Sequence, residues 1–179
     1  MSLEEHIFQE ATKLLGGPIN DWQFKAIEFN DDGPYLRYYP EDGVVTICLS
    51  PRAKEDTRQY CFQLTHEICH LFYPKIEYPS LKEHRLTVLN EGISTYFSIK
   101  LTGLIFNIED HLKNDLMENS KNYYNAFGLV EKLLLLDEDA IRKLRAKQPR
   151  VDLLTANDFE KANVDSDSDL ITNLLKYFD

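Results

Sequence analysis

Apolar residues along the first third of the chain repeat first at helical spacing and then at strand spacing. An apolar position at every third or fourth residue predicts a helix over residues 3–15, which the Gly-Gly-Pro run at 16–18 should end. Aromatic and β-branched residues then fill residues 35–39 and 44–49, and the Pro-Glu-Asp-Gly sequence between them has turn chemistry. These two runs predict a β-hairpin, and with it a small antiparallel sheet.

Two longer amphipathic helices should follow the hairpin. Ser50-Pro51 has the pattern of an N-cap followed by a proline at the first helical position, so the first helix should begin there and end at Tyr73, because Pro74 stops it. Ser80-Leu81-Lys82-Glu83 is a capping box, so the second helix should begin there and end at Gly103. Glu91 would then lie in the middle of the second helix.

The second helix would carry a stripe of small polar side chains along one face. The stripe consists of His84, Thr87, Glu91, Ser94, Thr95, Ser98 and Thr102. Solvated helix faces usually carry lysine and glutamate, whereas small hydroxyl residues allow another helix to approach closely. We therefore expect this stripe to face the first amphipathic helix; the alternative is a stripe exposed to solvent.

The remaining residues, 104–179, are predicted to be mainly helical. Apolar residues at helical spacing mark the segments 122–136, 138–147, 156–162 and 169–178. The fold class is therefore predicted to be α+β, with a small antiparallel sheet packed on a central helix. A length of 179 residues suits a single domain, made of a lobe over residues 1–103 and a helical lobe over residues 104–179.

Composition and charge exclude several classes of partner. The net charge of −10 and the lack of a long basic run argue against nucleic acid. No basic segment followed by an apolar core stands at the N-terminus, and no apolar run approaches about 18 residues, so neither a signal peptide nor a membrane span is expected. The three cysteines, Cys48, Cys61 and Cys69, are widely spaced and suit buried thiols in a reducing compartment. The sequence thus predicts a cytoplasmic protein with no membrane partner.

The stretch Thr65-His66-Glu67-Ile68-Cys69-His70 contains the motif His-Glu-x-x-His. Two histidines four residues apart lie one above the other on one face of a helix, where both can bind one metal ion. Glu67 points about 100° round the helix from His66, toward a water on that metal rather than toward the metal itself. The motif therefore predicts His66 and His70 as metal ligands and Glu67 as the general base. The alternative is an amphipathic helix with two half-buried histidines.

Glu91 is the expected third ligand. A catalytic zinc site has three protein ligands and one open position. The 20 residues between His70 and Glu91 allow the chain to turn and return on a neighbouring helix. Two histidines and one glutamate form a ligand set of zinc hydrolases, so one Zn²⁺ per chain is the expected cofactor. A structural zinc would need a fourth ligand, for which Cys69 and His84 are the nearest candidates.

Read together, His66-Glu67-Ile68-Cys69-His70 and Asn90-Glu91-Gly92-Ile93-Ser94 resemble the zinc motif of the gluzincin metallopeptidases, which include thermolysin-like enzymes and zinc aminopeptidases. The resemblance covers about residues 44–102. It implies a zincin-like fold, zinc bound by the two histidines and Glu91, and Glu67 as the general base. It also implies that the strand over residues 44–49 lines the cleft and pairs with an extended substrate.

The chain departs from that family in two respects. Thermolysin-like enzymes carry an acidic residue four positions after the ligand glutamate, where this chain has Thr95, so the groups around the zinc must be arranged differently. The glycine-rich motif that precedes the metal helix in aminopeptidases is missing. Short intracellular gluzincin-like proteins, some of which cleave bacterial transcriptional repressors, match the length better. Candidates for stabilising the oxyanion of the tetrahedral intermediate are His84, Tyr73, Tyr78 and Tyr96.

The sequence therefore predicts a zinc metallopeptidase that hydrolyses a peptide or protein substrate, with Glu67 as its catalytic residue. Two alternatives stand beside this prediction. One is a zinc-binding regulatory or protein-interaction module that keeps the fold without cleaving anything. The other is a hydrolase that uses the same zinc on a substrate other than a peptide.

Overall fold

In the computed structural model, which describes residues 1–19 and 21–179, helices surround one small sheet. The first half contains helix α1 (Leu3–Leu15), strands β1 (Gln23–Phe29), β2 (Tyr35–Tyr39) and β3 (Val44–Leu49), and helices α2 (Pro51–Glu55), α3 (Thr57–Phe72) and α4 (Val88–Phe106). The second half contains α5 (Glu109–Asn119), α6 (Lys121–Leu136), α7 (Ala140–Lys147), a 3₁₀ turn (Val151–Leu153), α8 (Ala156–Lys161) and α9 (Ser168–Leu174). The described chain is α+β and mainly helical, as predicted.

Helix α1 has the predicted bounds. The hydroxyl of Ser2 accepts a hydrogen bond from the backbone N–H of Glu5, which caps the start of the helix. Gly16, with φ of 75°, ends it. The apolar face of α1, which includes Ile7 and Leu15, is buried in the core.

The sheet is mixed rather than antiparallel, which corrects the prediction. Strands β2 and β3 form the expected antiparallel hairpin, with Tyr35 opposite Cys48. Strand β1, which the apolar pattern does not predict, runs parallel to β3 on its other side, so the order is β1-β3-β2. Of the residues in β1 only Ala26 and Ile27 are even half-buried, and the strand therefore lacks the alternation that marks a half-buried strand in a sequence.

The helix predicted from Ser50-Pro51 to Tyr73 is divided into α2 and α3. Asp56 separates the two with extended backbone, at φ −121° and ψ 112°. Its carboxylate accepts a hydrogen bond from the backbone N–H of Arg58 at 2.8 Å and so caps α3. Aspartate is favoured at this capping position and disfavoured inside a helix, which explains the break.

Helix α4 begins later than predicted, at Val88. The stretch 80–83 forms a turn instead, in which Leu81 has φ of 56°, and the backbone N–H of Glu77 donates to the carbonyl of Lys82 at 2.9 Å. A second capping box starts the helix, because Thr87 and Asn90 bond each other's backbone N–H groups at 3.0 and 3.3 Å. Glu91 therefore lies in the first turn of α4 rather than mid-helix, and His84 lies outside the helix.

The polar stripe of α4 is buried against α3, as expected. From Thr87 to Thr102 its members are at most 4% exposed. The hydroxyl of Ser94 lies 3.1 Å from the phenol oxygen of Tyr73 at the end of α3, and Thr102 donates to the sulfur of Cys61 at 3.4 Å. This close packing brings Glu91 to the face of α3 that carries the two motif histidines.

Gly92 lies where α4 meets α6, and we expect it to tolerate no side chain. A Cβ atom at this position would stand 2.6 Å from the carbonyl oxygen of Ala126 and 2.6 Å from Cγ2 of Val130. Gly92→Ala should therefore lower the free energy of unfolding by about 1–3 kcal/mol, because the two helices must move apart. Urea denaturation measures this loss.

Gly128→Ala is the matched control for that substitution. A Cβ atom at Gly128 would meet nothing within 4 Å in the described chain. Alanine is the better helix former, so this variant should be about 0.5–1 kcal/mol more stable than the wild type. Equal losses in the two variants would contradict the close contact at Gly92.

The C-terminal part is helical, although its bounds differ in part from the prediction. Helices α6, α7 and α8 overlap the predicted segments, and α5 lies where helical structure was expected without bounds. Helix α9 ends at Leu174 rather than Phe178, because the next residues form an extended contact in which Thr87 bridges Tyr177. Among the described residues, no helix is both long and apolar enough to cross a membrane.

Candidate metal centre

Helices α3 and α4 bring three potential metal ligands to one point. His66 and His70 lie one turn apart on α3, and their Nε2 atoms are 3.1 Å from each other. Glu91 reaches them from the first turn of α4, with Oε2 at 3.3 Å from Nε2 of His66 and Oε1 at 3.5 Å from Nε2 of His70. The three residues that the sequence predicts as ligands therefore form a group that could hold a metal ion.

The spacing of these atoms fits a tetrahedral site. Ligand atoms that bind zinc at about 2.0–2.1 Å with tetrahedral angles lie about 3.3–3.4 Å apart. The 3.1 Å between the two histidine nitrogens and the 3.3 Å from His66 to Oε2 of Glu91 lie near this value, while the 3.5 Å contact of His70 is with the other carboxylate oxygen, Oε1. Two histidines and a carboxylate are also ligand types that zinc and several other divalent metals accept. The residues present therefore fit a metal ion, with their side chains already converging.

The electrostatic environment of Glu91 also favours a cation. Burial alone would raise the pKa of this carboxyl, but the adjacent rings of His70 and His66 hold it well below its ordinary value. Glu91 is 4% exposed, and Oε2 makes no hydrogen bond within the described chain although it lies beside His66. A buried carboxylate oxygen without a donor needs a positive partner, and a bound metal ion would supply one.

Glu67 lies beside the three ligands but not among them. Its side chain is 4% exposed and lines the same cleft. Burial raises the pKa of Glu67 to about 7, with a lowering contribution from His66 and a raising one from Glu91. A carboxyl with a pKa near neutrality can both accept and return a proton, which is the property required of a general base.

The group opens into a cleft of about 550 Å³. Part of its lining comes from β2 and includes Tyr35, Leu36 and Tyr38. Another part comes from α5, the α5–α6 junction and α6, and includes Leu116, Ser120 and Tyr123. The floor is the face of α3 that carries the histidines, so the three ligands lie beside these largely apolar parts of the lining.

Tyr123 is a cleft residue that the sequence does not reveal. Its ring lies 6.1 Å from the ring of His66, centroid to centroid, in the part of the lining that α6 contributes. Burial, together with the charges of Glu91 and Glu67, raises the pKa of Tyr123 to about 12, so the phenol keeps its proton at neutral pH. In the sequence Tyr123 is one apolar position among several on α6, and nothing in the spacing marks it as part of the site.

None of the four residues suggested for oxyanion stabilisation lines the cleft, and this corrects the suggestion. His84 is fixed by Glu77 at 2.8 Å and Asp152 at 3.2 Å. The ring of Tyr73 lies 6.1 Å from that of His70, but Tyr73 is fully buried and its hydroxyl lies 3.1 Å from the hydroxyl of Ser94 in the α3–α4 contact. The other two pack on aromatic partners, Tyr78 on Trp22 and Tyr96 on Phe127. None of the four is among the described residues that line the cleft.

The possible fourth ligands also lie outside the group. Cys69 is fully buried, and burial raises the pKa of its thiol, which disfavours the thiolate that a metal needs. His84 is held by two carboxylates away from the cleft. Thr95, four positions after Glu91, does line the cleft, and its buried hydroxyl has no hydrogen-bond partner within the described chain. The three-ligand group thus keeps an open side, which faces the cleft.

The strand beside the cleft is β2 rather than β3. Strand β3 is central, with β1 along one edge and β2 along the other, so both of its edges are already paired. The expectation that residues 44–49 pair with a substrate is therefore wrong. Strand β2 is paired along one edge only in the described sheet, and its residues line the cleft.

Comparison with known proteins gives no family for this chain. No protein-family model, no curated protein and no solved structure matches it.

Proposed function

We propose that this chain is a zinc-dependent metallopeptidase of the gluzincin type, with a zincin-like fold. The observation that carries the proposal is the convergence of His66, His70 and Glu91 at separations of 3.1, 3.3 and 3.5 Å. Two ligands from one helix and a third from the next leave one side open to a cleft, which is the arrangement of a catalytic rather than a structural site.

Zinc is the proposed ion, because two histidines and a glutamate form one of the ligand sets of zinc hydrolases. When bound, it would act as a Lewis acid that polarises a carbonyl and makes water a better nucleophile. The protein contributes the rigid ligand geometry and the position of Glu67. Both are present in the packing of α3 against α4.

Glu67 is proposed as the general base. It would accept a proton from the attacking water and pass that proton to the departing amine. Burial favours the protonated carboxyl that returns the proton, and a cation bound beside it would favour the carboxylate that accepts it. Its position in the cleft, next to the ligands but outside their group, leaves the carboxylate free for proton transfer.

The proposed substrate is an extended peptide segment. A peptide can add to the free edge of β2 by main-chain hydrogen bonds, and this mode of binding recognises a strand rather than one side chain. The walls offer apolar contacts from residues such as Leu36 and Leu116. An unfolded or flexible segment of a protein satisfies these requirements, whereas a folded surface does not enter a cleft of about 550 Å³.

Tyr123 is proposed to donate a hydrogen bond to the oxyanion that forms during attack. Tyr123→Phe removes the hydroxyl and keeps the ring, so kcat should fall about 100-fold while KM changes little. Steady-state kinetics on a fluorogenic peptide measure both constants. Tyr124→Phe, on the adjacent residue outside the cleft lining, is the matched control and should match the wild type. An unchanged kcat in Tyr123→Phe would remove this role.

Chelation followed by zinc readdition tests the proposed function as a whole. The purified chain is treated with a chelator, dialysed and assayed on unfolded casein before and after addition of zinc. The proposal predicts cleavage that disappears on chelation and returns with zinc. Zinc binding without any cleavage across a panel of unfolded proteins would favour a non-catalytic zinc-binding module instead.

A further inference from the structure

The segment 176–179 contacts both the start of α4, the helix that carries Glu91, and the start of α6, the helix that carries Tyr123. The backbone N–H of Val88, the first residue of α4, donates to the carbonyl of Lys176 at 2.8 Å. The backbone N–H of Phe178 donates to the carbonyl of Leu86 at 3.0 Å. The segment is thereby attached immediately before the turn of α4 that carries Glu91.

The same segment also contacts the start of α6. The side-chain amide of Asn122 donates to the carbonyl of Asp179 at 2.7 Å. On the next residue along, the ring of Tyr123 packs on the ring of Phe178, with centroids 4.8 Å apart and planes tilted by 60°. Aromatic pairs at this separation and tilt attract each other beyond their burial of apolar surface.

The ring of Tyr123 thus has two aromatic neighbours. The ring of Phe178 lies 4.8 Å from it and the ring of His66 lies 6.1 Å from it, centroid to centroid. Tyr123 is only half-buried and belongs to the first turn of α6, so the contact with Phe178 is an important constraint on its side-chain rotamer. Removal of Phe178 would leave the ring free to turn away from the metal ligands.

We propose that Phe178 is a positioning residue, which holds the ring of Tyr123 against His66 at the candidate metal centre. The consequence for catalysis rests on the proposed function, because Tyr123 must hold its phenol where the oxyanion develops. A displacement of about 1 Å at such a group can cost about 100-fold in rate. The position of the ring itself is independent of whether the chain cleaves peptides.

Fluorine NMR tests the position of the ring without any assay of activity. The full chain is labelled with 3-fluorotyrosine at its 10 tyrosines, and the resonance of Tyr123 is identified by its loss in Tyr123→Phe. Loss of the Phe178 ring current moves that resonance even if Tyr123 stays in place, so the diagnostic change is in line width. Phe178→Ala should narrow the resonance, because a ring that is no longer packed gains rotational freedom. A resonance as broad as that of the wild type would overturn the proposal.

Two further variants separate positioning from general stability. Tyr177→Ala removes a neighbouring aromatic ring that is 57% exposed and lies over Arg85, and it should leave the Tyr123 resonance in place. Phe178→Leu keeps apolar volume but loses the aromatic face, and it replaces the alanine variant if that protein does not fold. The leucine variant should also narrow the Tyr123 resonance. Equal narrowing in Tyr177→Ala would assign the effect to the whole segment and overturn the role of Phe178.

Kinetics on the zinc-loaded chain provide the second test. Phe178→Ala should lower kcat about tenfold with KM within about twofold. In the Tyr123→Phe background the same substitution should cost less than about twofold, because its effect passes through the phenol. An equal tenfold loss in both backgrounds would contradict the proposal. If the wild type cleaves no peptide, the proposed function fails, and the fluorine result alone decides whether Phe178 positions Tyr123.

Discussion

Glu67→Gln is expected to keep the bound metal and to cleave an unfolded substrate about 10³-fold more slowly than the wild type. Glutamine has nearly the volume of glutamate, so the buried site should stay packed around a residue that is 4% exposed. The amide can neither take a proton from water nor return one, which removes general-base catalysis. The three ligand atoms belong to other residues and remain at their observed separations.

Initial rates on casein, with zinc content determined on the same samples, test this expectation. Glu160→Gln is the control, because Glu160 is exposed on α8 and is not among the residues that line the cleft. It removes the same charge and should change neither the cleavage rate nor the zinc content. A variant at Glu67 that cleaves at more than about a tenth of the wild-type rate would show that another group takes the proton.

Glu91→Gln is expected to have the largest effect on metal binding. The substitution removes the negative charge that faces both histidines at 3.3 and 3.5 Å and leaves a neutral amide oxygen as the third ligand. Zinc at about 100 times its dissociation constant should stabilise the wild type by about 2.7 kcal/mol, since only the folded chain presents the three ligands together. For a domain of this length that corresponds to about 5–11 °C in the unfolding temperature.

Thermal unfolding with and without zinc measures this difference. At the zinc concentration that gives the wild-type shift, Glu91→Gln should shift by less than about 2 °C. Glu160→Gln should keep the full shift, because the exposed carboxylate lies outside the group of three ligands. A full shift in Glu91→Gln would mean that Glu91 does not bind the metal.

The ligand group could be predicted from the sequence because it depends on local geometry and one long-range contact. His66 and His70 need only a helix, and α3 is a helix throughout the motif. Glu91 needs α4 to pack on α3 by its polar stripe, and the small hydroxyl residues of that stripe indicated the contact. The start of α4 was predicted too early, but this does not affect the predicted contact, because residues 88–102 are helical with either start.

The rest of the site could not be predicted, because it depends on contacts between distant segments. Strand β1 has few buried residues and no apolar alternation, so neither its existence nor its parallel pairing is visible. That pairing in turn makes β2, rather than β3, the free edge beside the cleft. Tyr123 enters the cleft only because α6 packs across α4, and Phe178 reaches it from the last residues of the chain.

The wrong start predicted for α4 comes from a misleading capping signal in the sequence. Ser80 to Glu83 has the composition of a capping box, yet its residues bond within a turn that Glu77 and Lys82 close. Thr87 and Asn90 form the box that the helix uses, although asparagine is a less familiar residue at that position. When two capping sequences could each start a helix, tertiary contacts determine at which of them the helix begins. Here the bridge between Thr87 and Tyr177 lies beside the start that is used.

The metal content of the purified chain tests most directly whether His66, His70 and Glu91 bind zinc. The wild type and a His66→Ala/His70→Ala variant are expressed and purified without added metal, dialysed against the same zinc buffer, and measured by elemental mass spectrometry. We expect about one zinc per wild-type chain and none above background in the double variant. Equal zinc in the two proteins, or none in a correctly folded wild type, would contradict it, and the convergence of His66, His70 and Glu91 would then be packing alone.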